Sequence, residues 1–191
     1  MCRGVFVLVL WLCVWIGSGC KDSPVQGGIT GDKPIDPEIY KPTPWPPPGA
    51  QPVTPPADVV RTMELAVNAY ARKDAAALKK LYMDRAGFMG MSDCDQATVK
   101  QVLEGVDTAV EQMDEYGGTV QWRGFSEGYL QSISRGNKPH RTATCRAKVD
   151  VELFQGRYRW LVRDKMLEGE AHLIRAKDRG AWRFVRLGAL D

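Results

Sequence analysis

An α+β fold is predicted by a change of period partway along the chain. Apolar residues recur at helical spacing over residues 57–118 and at a spacing of two from Thr119 onward. Two further observations frame that folding unit: an apolar amino-terminal segment that ends at Cys20, and a proline-rich stretch that separates it from the first helix. The chain therefore divides into residues 1–19, residues 20–56 and one domain at 57–191, a length that suffices to bury a core.

The helical part opens at Thr54, Pro55 and Pro56, which read as a helix start with a capping hydroxyl and prolines in the first turn. Met63, Val67 and Tyr70 then fall on one face at i, i+4 and i+7. After Lys73 the helix restarts, with Asp74 as the cap of a run through Tyr82 in which Leu78, Leu81 and Tyr82 are apolar. A second long helix is expected after Asp95. Val99, Val102, Leu103, Val106, Val110 and Met113 face one way, Lys100, Glu104, Asp107 and Glu111 the other, and Gly117 and Gly118 stop it.

Beyond that point strands take over. Ala143, Cys145, Ala147, Val149, Val151 and Leu153 alternate with Thr144, Arg146, Lys148, Asp150 and Glu152, which predicts a long strand with one buried and one wet face. Gln155 and Gly156 are expected to turn it into a strand holding Tyr158, Trp160 and Val162. Further strands are expected at residues 120–125, 129–133, 170–176 and 182–187, the last two joined by a hairpin turn at Lys177, Asp178, Arg179 and Gly180. Helices first and antiparallel strands after them predict helices packed on one face of a curved sheet.

The amino-terminal segment shows Arg3, an apolar run over residues 5–16, and Gly17, Ser18 and Gly19 before Cys20, which is the order of a secretory signal. Twelve apolar residues are too few for a span, which needs roughly twenty. Ser18, Gly19 and Cys20 resemble the lipobox of bacterial lipoproteins, although Gly17 stands where leucine is usual. The resemblance implies cleavage after Gly19, acylation of Cys20 by chains such as palmitate, and a membrane anchor in the cell envelope. Each buried methylene contributes about 0.8 kcal/mol, so several chains hold firmly where one holds marginally. Lys21 after the cysteine resembles an outer-membrane address. The alternative is an ordinary signal peptide with a chance cysteine.

Cysteine usage agrees with export. Cys2 and Cys13 leave with the signal and Cys20 carries lipid, so the domain keeps Cys94 and Cys145, which either form one disulfide or stay as two buried small hydrophobes. Eleven of the chain's 12 prolines lie in residues 21–56, a composition that forms neither helix nor central strand and is read as a disordered tether. Trp45 with its flanking prolines could instead be a ligand for an aromatic groove.

The helix from Ala66 to Tyr82 and the closing hairpin with Gly180, Ala181, Trp182, Arg183, Phe184 and Val185 resemble the nuclear transport factor 2-like superfamily, a cone-shaped cystatin-like fold. The resemblance implies a pocket between the first helix and the concave sheet, here drawing on Met63, Tyr70, Phe88, Trp122 and Trp160, unless these side chains simply meet and fill the core. Aligned on Asp74, the oxyanion tyrosine and the base of the superfamily's isomerases fall on Ala66 and near Gly90. Neither can serve, so that chemistry is not expected and no catalytic residue is assigned. Such sheets also pair with copies of themselves, which implies a homodimer through the sheet.

His172 or His140 with Asp150 is the remaining route to proton transfer, weighed against a hydrogen-bonded structural role. Cys94, Cys145, His140 and His172 lack the short spacings of a zinc site, so neither a metal nor another cofactor is expected. Residues 57–118 carry a balance of -4 and residues 119–191 one of +7. Arg157, Arg159, Arg163, Arg175, Arg183 and Arg186, with Arg135, Lys138, Arg141, Lys177 and Arg179, could therefore line a sheet-side surface for an anionic envelope component or a protein partner, or else a solvated face. Export argues against nucleic acid. The sequence thus points to a lipid-anchored binding or assembly module, with a small-ligand carrier or an envelope enzyme working through the pocket as the alternative.

Overall fold

The first helix, α1 (Ala57–Arg72), forms where the apolar period is strongest and buries Val59, Met63, Ala66 and Tyr70 completely. The computed structural model to which it belongs describes residues 45–94, 96–116, 118–138, 145–177 and 179–189. Residues 1–44, with the expected signal and Cys20 and most of the expected tether, and Asp95, Gly117, His140, Arg141, Ala143, Thr144 and Asp178 lie outside the described residues.

Pro56 is the residue that caps α1 and has no side-chain acceptor, so the hydroxyl expected of Thr54 is not used; within the first turn the Asp58 carboxylate accepts from the Val59 N–H at 3.0 Å. Lys73 takes the left-handed conformation (φ 52°) and returns its N–H to the carbonyls of Ala69 and Tyr70. The restart at Asp74 is as expected. Its carboxylate accepts from the Ala77 N–H at 2.8 Å and opens α2 (Ala75–Leu81). Asp84 does the same for α3 (Arg85–Met91), which sequence reading misses because Gly87 and Gly90, poor helix formers, stand inside it. Next comes α4 (Gln96–Tyr116), the long amphipathic helix anticipated after Asp95.

Five strands form one antiparallel sheet in the order β1 (Gln51–Pro52), β2 (Val120–Ile133), β3 (Val151–Val162), β4 (Lys165–Ala176) and β5 (Arg179–Ala189). Three expectations need correction. The strand predicted from Ala143 starts only at Val151. Burial alternates only as far as Ala147, since Val149, expected on the buried face, is exposed, and the backbone groups bond elsewhere: Asp93 N–H donates to Arg146 O at 2.9 Å and Lys148 N–H to Met91 O at 2.8 Å. No turn occurs at Gln155 and Gly156, because β3 runs straight through them. Gly156 serves packing, since a Cβ there would meet the Phe125 and Phe154 rings at 2.8 Å. The two strands predicted at 120–125 and 129–133 are one. Register shifts between Trp122 and Phe125 and between Phe125 and Glu127, with Gly124 at φ 98°, bend β2 without ending it. The hairpin between β3 and β4 turns on Arg163 and Asp164, both at positive φ, without the Asn-Gly or Asp-Gly signal that would announce it.

The principal core lies between α1, α2, α4 and one face of the sheet and is rich in aromatic rings: Tyr70, Phe154, Tyr158, Trp160, Trp182 and Phe184 are all buried. Tyr70 donates to Ala109 O at 2.8 Å and ties α1 to α4, and Tyr158 donates to Gly188 O at 3.0 Å. A second cluster gathers Met83, Phe88, Val99 and the disulfide-bonded Cys94 and Cys145, whose Cα atoms are 4.3 Å apart. Helices and an antiparallel sheet, packed on one another, make this an α+β protein.

Candidate functional site on the outer face of the sheet

Alternation along β3 sends Phe154, Tyr158, Trp160 and Val162 to the helices, and Gln155, Arg157 and Arg159 to the opposite face. Register then lines up polar residues across four strands. Tyr129, Gln155, His172 and Arg186 form one row, and Glu127, Arg157, Glu170 and Gly188 the next. Period-two spacing hints at each row member singly, but only the pairing brings them together.

Within these rows Glu127 is the hub on the β2 side. It accepts from the Tyr129 hydroxyl at 3.2 Å and pairs with Arg157 at 3.1 Å. Trp45 lies over the same two partners, its ring 5.3 Å edge-on from Tyr129 and 4.8 Å from the Arg157 guanidinium. On the β4 side His172 Nε2 stands 3.7 Å from Glu170 Oε2, too far for a hydrogen bond. The imidazole beside it, helped by the charges of Arg186 and Arg157, nevertheless holds the Glu170 carboxyl below its ordinary value against the opposing effect of burial. Trp45 Nε1, Arg157 Nε and His172 Nε2 are buried with no hydrogen-bond partner among the described residues.

The twelve residues from Trp45 to Pro56, expected as part of a tether, lie on the domain. Pro47 is buried, Ala50 N–H closes a turn to Pro47 O at 3.1 Å, and Gln51 and Pro52 pair with Leu130 and Tyr129 as β1. Gly49 at φ 76° supplies the left-handed third position of that turn, so the Pro48-Gly49 dipeptide was the available signal.

The six arginines expected to share a partner surface do not come together. Arg157, Arg159 and Arg186 lie on the outer face, with Glu127, Glu168 and Glu170 interleaved. Arg163 sits at the β3–β4 turn and donates to Glu115 O at 3.2 Å. Arg175 is on the helix side, bonded at 2.7 Å to both Glu152 and Asp58 and stacked 4.4 Å over Trp182. Arg183 donates to Lys80 O and lines a groove of about 680 Å³ with Lys79, Tyr82 and Met83. Charge of one sign, spread over strands, was not enough to specify one face.

Of the expected pocket residues, Met63, Tyr70 and Trp160 are buried in the principal core and Trp122 packs against it, whereas Phe88 belongs to the second cluster. Ala66 is buried and Gly90 exposed. Asp150 accepts from the Arg135 N–H at 2.7 Å and is thereby engaged in the turn after β2. Among the described residues no group of three or more His, Cys, Asp or Glu side chains could hold a metal ion, and no helix is long and apolar enough to cross a membrane.

No protein-family model, curated protein or solved structure matches the chain.

Proposed function

We propose that the protein is a lipid-anchored envelope lipoprotein whose single α+β domain, of the cone-like nuclear transport factor 2 type, works as a binding module through the outer face of its sheet. The order of charged, apolar and small residues before Cys20 supports the anchor. The observation that carries the binding role is the pair of polar rows at Tyr129–Gln155–His172–Arg186 and Glu127–Arg157–Glu170, which holds buried donors without acceptors. On the opposite face the space between helices and sheet is filled by aromatic side chains, which favours a surface over an interior site.

Two measurements test this reading. The full chain expressed in a bacterial host should incorporate labelled palmitate and partition into membranes, and Cys20→Ser should abolish both. Native mass spectrometry of the chain in mild detergent should show an empty interior together with a macromolecular or second-copy partner that is lost on Arg186→Glu. A soluble, unlabelled wild type overturns the anchor. A stoichiometric small molecule overturns the surface role.

The second reading, a small-ligand carrier, is favoured by one observation. Tyr82 Oη, Trp160 Nε1 and Trp182 Nε1 are buried in the core without partners among the described residues. A bound small molecule that masks these donors is the outcome that selects it.

A further inference from the structure

The segment Trp45–Pro48 meets the sheet as a ligand meets a receptor. Its indole is held edge-on by Tyr129 and from above by the Arg157 guanidinium, Pro47 is buried, and Gln131 Nε2 donates to Pro48 O at 3.4 Å. Just beyond, Gln51 and Pro52 add to the edge of β2, and Val53 N–H donates to Gly128 O at 2.9 Å. An aromatic side chain and a cation flanking an indole, with strand addition alongside, are the elements by which peptide-binding domains take extended proline-rich segments.

The fit in cis is also incomplete. Trp45 Nε1 and Arg157 Nε are buried at their mutual contact, and neither finds an acceptor among the described residues. Unsatisfied donors weaken a contact, and β1 contributes only two residues of pairing.

We propose that Tyr129, Arg157 and the edge of β2 form a recognition site for a Trp–Pro segment, filled in cis by Trp45–Pro48 and open to the Trp–Pro segment of another polypeptide once the cis segment leaves. The inference rests on the outer face being the binding surface and names the class of partner it takes. Occupancy in cis has a measurable consequence. A short connection presents its segment at roughly millimolar effective concentration, so an external peptide that binds the open site at about 100 µM should bind the closed one about tenfold more weakly.

The probe is a fluorescein-labelled peptide of the sequence of residues 42–52, titrated by anisotropy into the full chain in mild detergent. The double variant Trp45→Ala/Pro47→Ala should bind it, the wild type about tenfold more weakly, and the triple variant with Arg157→Ala should lose binding. A peptide carrying alanine in place of tryptophan should not bind. A folded double variant that ignores the peptide overturns the proposal, whereas a small molecule seated in the interior would overturn the surface role itself. Should the double variant not fold, hydroxyl-radical labelling of the wild type decides. Trp45 should be protected and become several-fold more reactive under excess unlabelled peptide. Labelling of Trp45 at the rate of the free peptide's tryptophan, or no response to the peptide, overturns the proposal.

Discussion

Arg175 and Asp58 stand 117 residues apart in sequence and 2.7 Å apart in space, and the same guanidinium bonds Glu152 and covers Trp182. This contact pins the first turn of α1 to β4 at the end of the sheet. Arg175→Met should cost about 1–2 kcal/mol in urea unfolding, because it leaves the largely buried Glu152 carboxylate unpaired. Asp58→Asn should cost well under about 1 kcal/mol, since Asp58 is half exposed and its ion pair is screened. Equal effects of the two substitutions would contradict the assignment of Glu152 as the partner that matters.

Glycines at three positions should respond to alanine in three different ways. At Gly169 a Cβ would collide with the Tyr158 ring and the Gly188 carbonyl, a backbone atom that cannot swing away, so Gly169→Ala should destabilise by about 3 kcal/mol or more. At Gly156 the obstacles are the Phe125 and Phe154 rings, and the cost should be smaller, about 1–3 kcal/mol. Nothing lies near Gly90 in α3, so Gly90→Ala should stabilise by about 0.5–1 kcal/mol through helix propensity. Thermal unfolding of the three variants checks the order.

The Cys94–Cys145 bond closes a loop with a sequence separation of 51, for which chain entropy predicts about 4 kcal/mol of stabilisation. Cys94→Ala/Cys145→Ala should lower stability by up to that amount. Hydrogen exchange should rise first in residues 89–94 and 145–150, which are zipped together around the bond. Uniform loss of protection across the sheet would show that the bond supports the whole domain instead.

Stability should fall at both ends of the pH scale for separate reasons. Burial raises the phenols of Tyr70, Tyr82 and Tyr158 above the ordinary value of 10.0, and for Tyr82 the neighbouring Tyr70 and Tyr158 add to it. The unfolded chain then releases these protons before the native one does, so stability is fully present below about pH 10 and is lost above it. Absorbance near 295 nm should show the three phenols ionising only as the protein unfolds. Glu170, held low in the native state, contributes stability that is present above the ordinary carboxyl range and lost as pH falls. The difference between wild type and Glu170→Gln should therefore vanish in acid, and a difference that persists there would show that the carboxyl acts through packing.

Local features of the fold were legible in the sequence because their causes are local. The buried stripe of α1 through Met63 and Tyr70, the Asp74 cap, the length of α4 and the hairpin near Lys177 each depend on residues within a few positions of one another. The candidate site was legible only in part. Trp45 stood out as a tryptophan among prolines, and Arg157 and Arg186 as strand arginines, but neither reading contained Glu127, Tyr129 or Glu170 as their neighbours.

By itself the sequence determined the α+β class and most helix boundaries, since periodicity, caps and composition act over one or two turns. Tertiary structure alone decided that β3 passes through Gly156, that Cys145–Asp150 pairs with the end of α3, and which face each arginine joins. Strand pairing is the physical reason. Register between distant segments sets which side chains become neighbours, and shifting it by one residue would send every side chain of a strand to the other face.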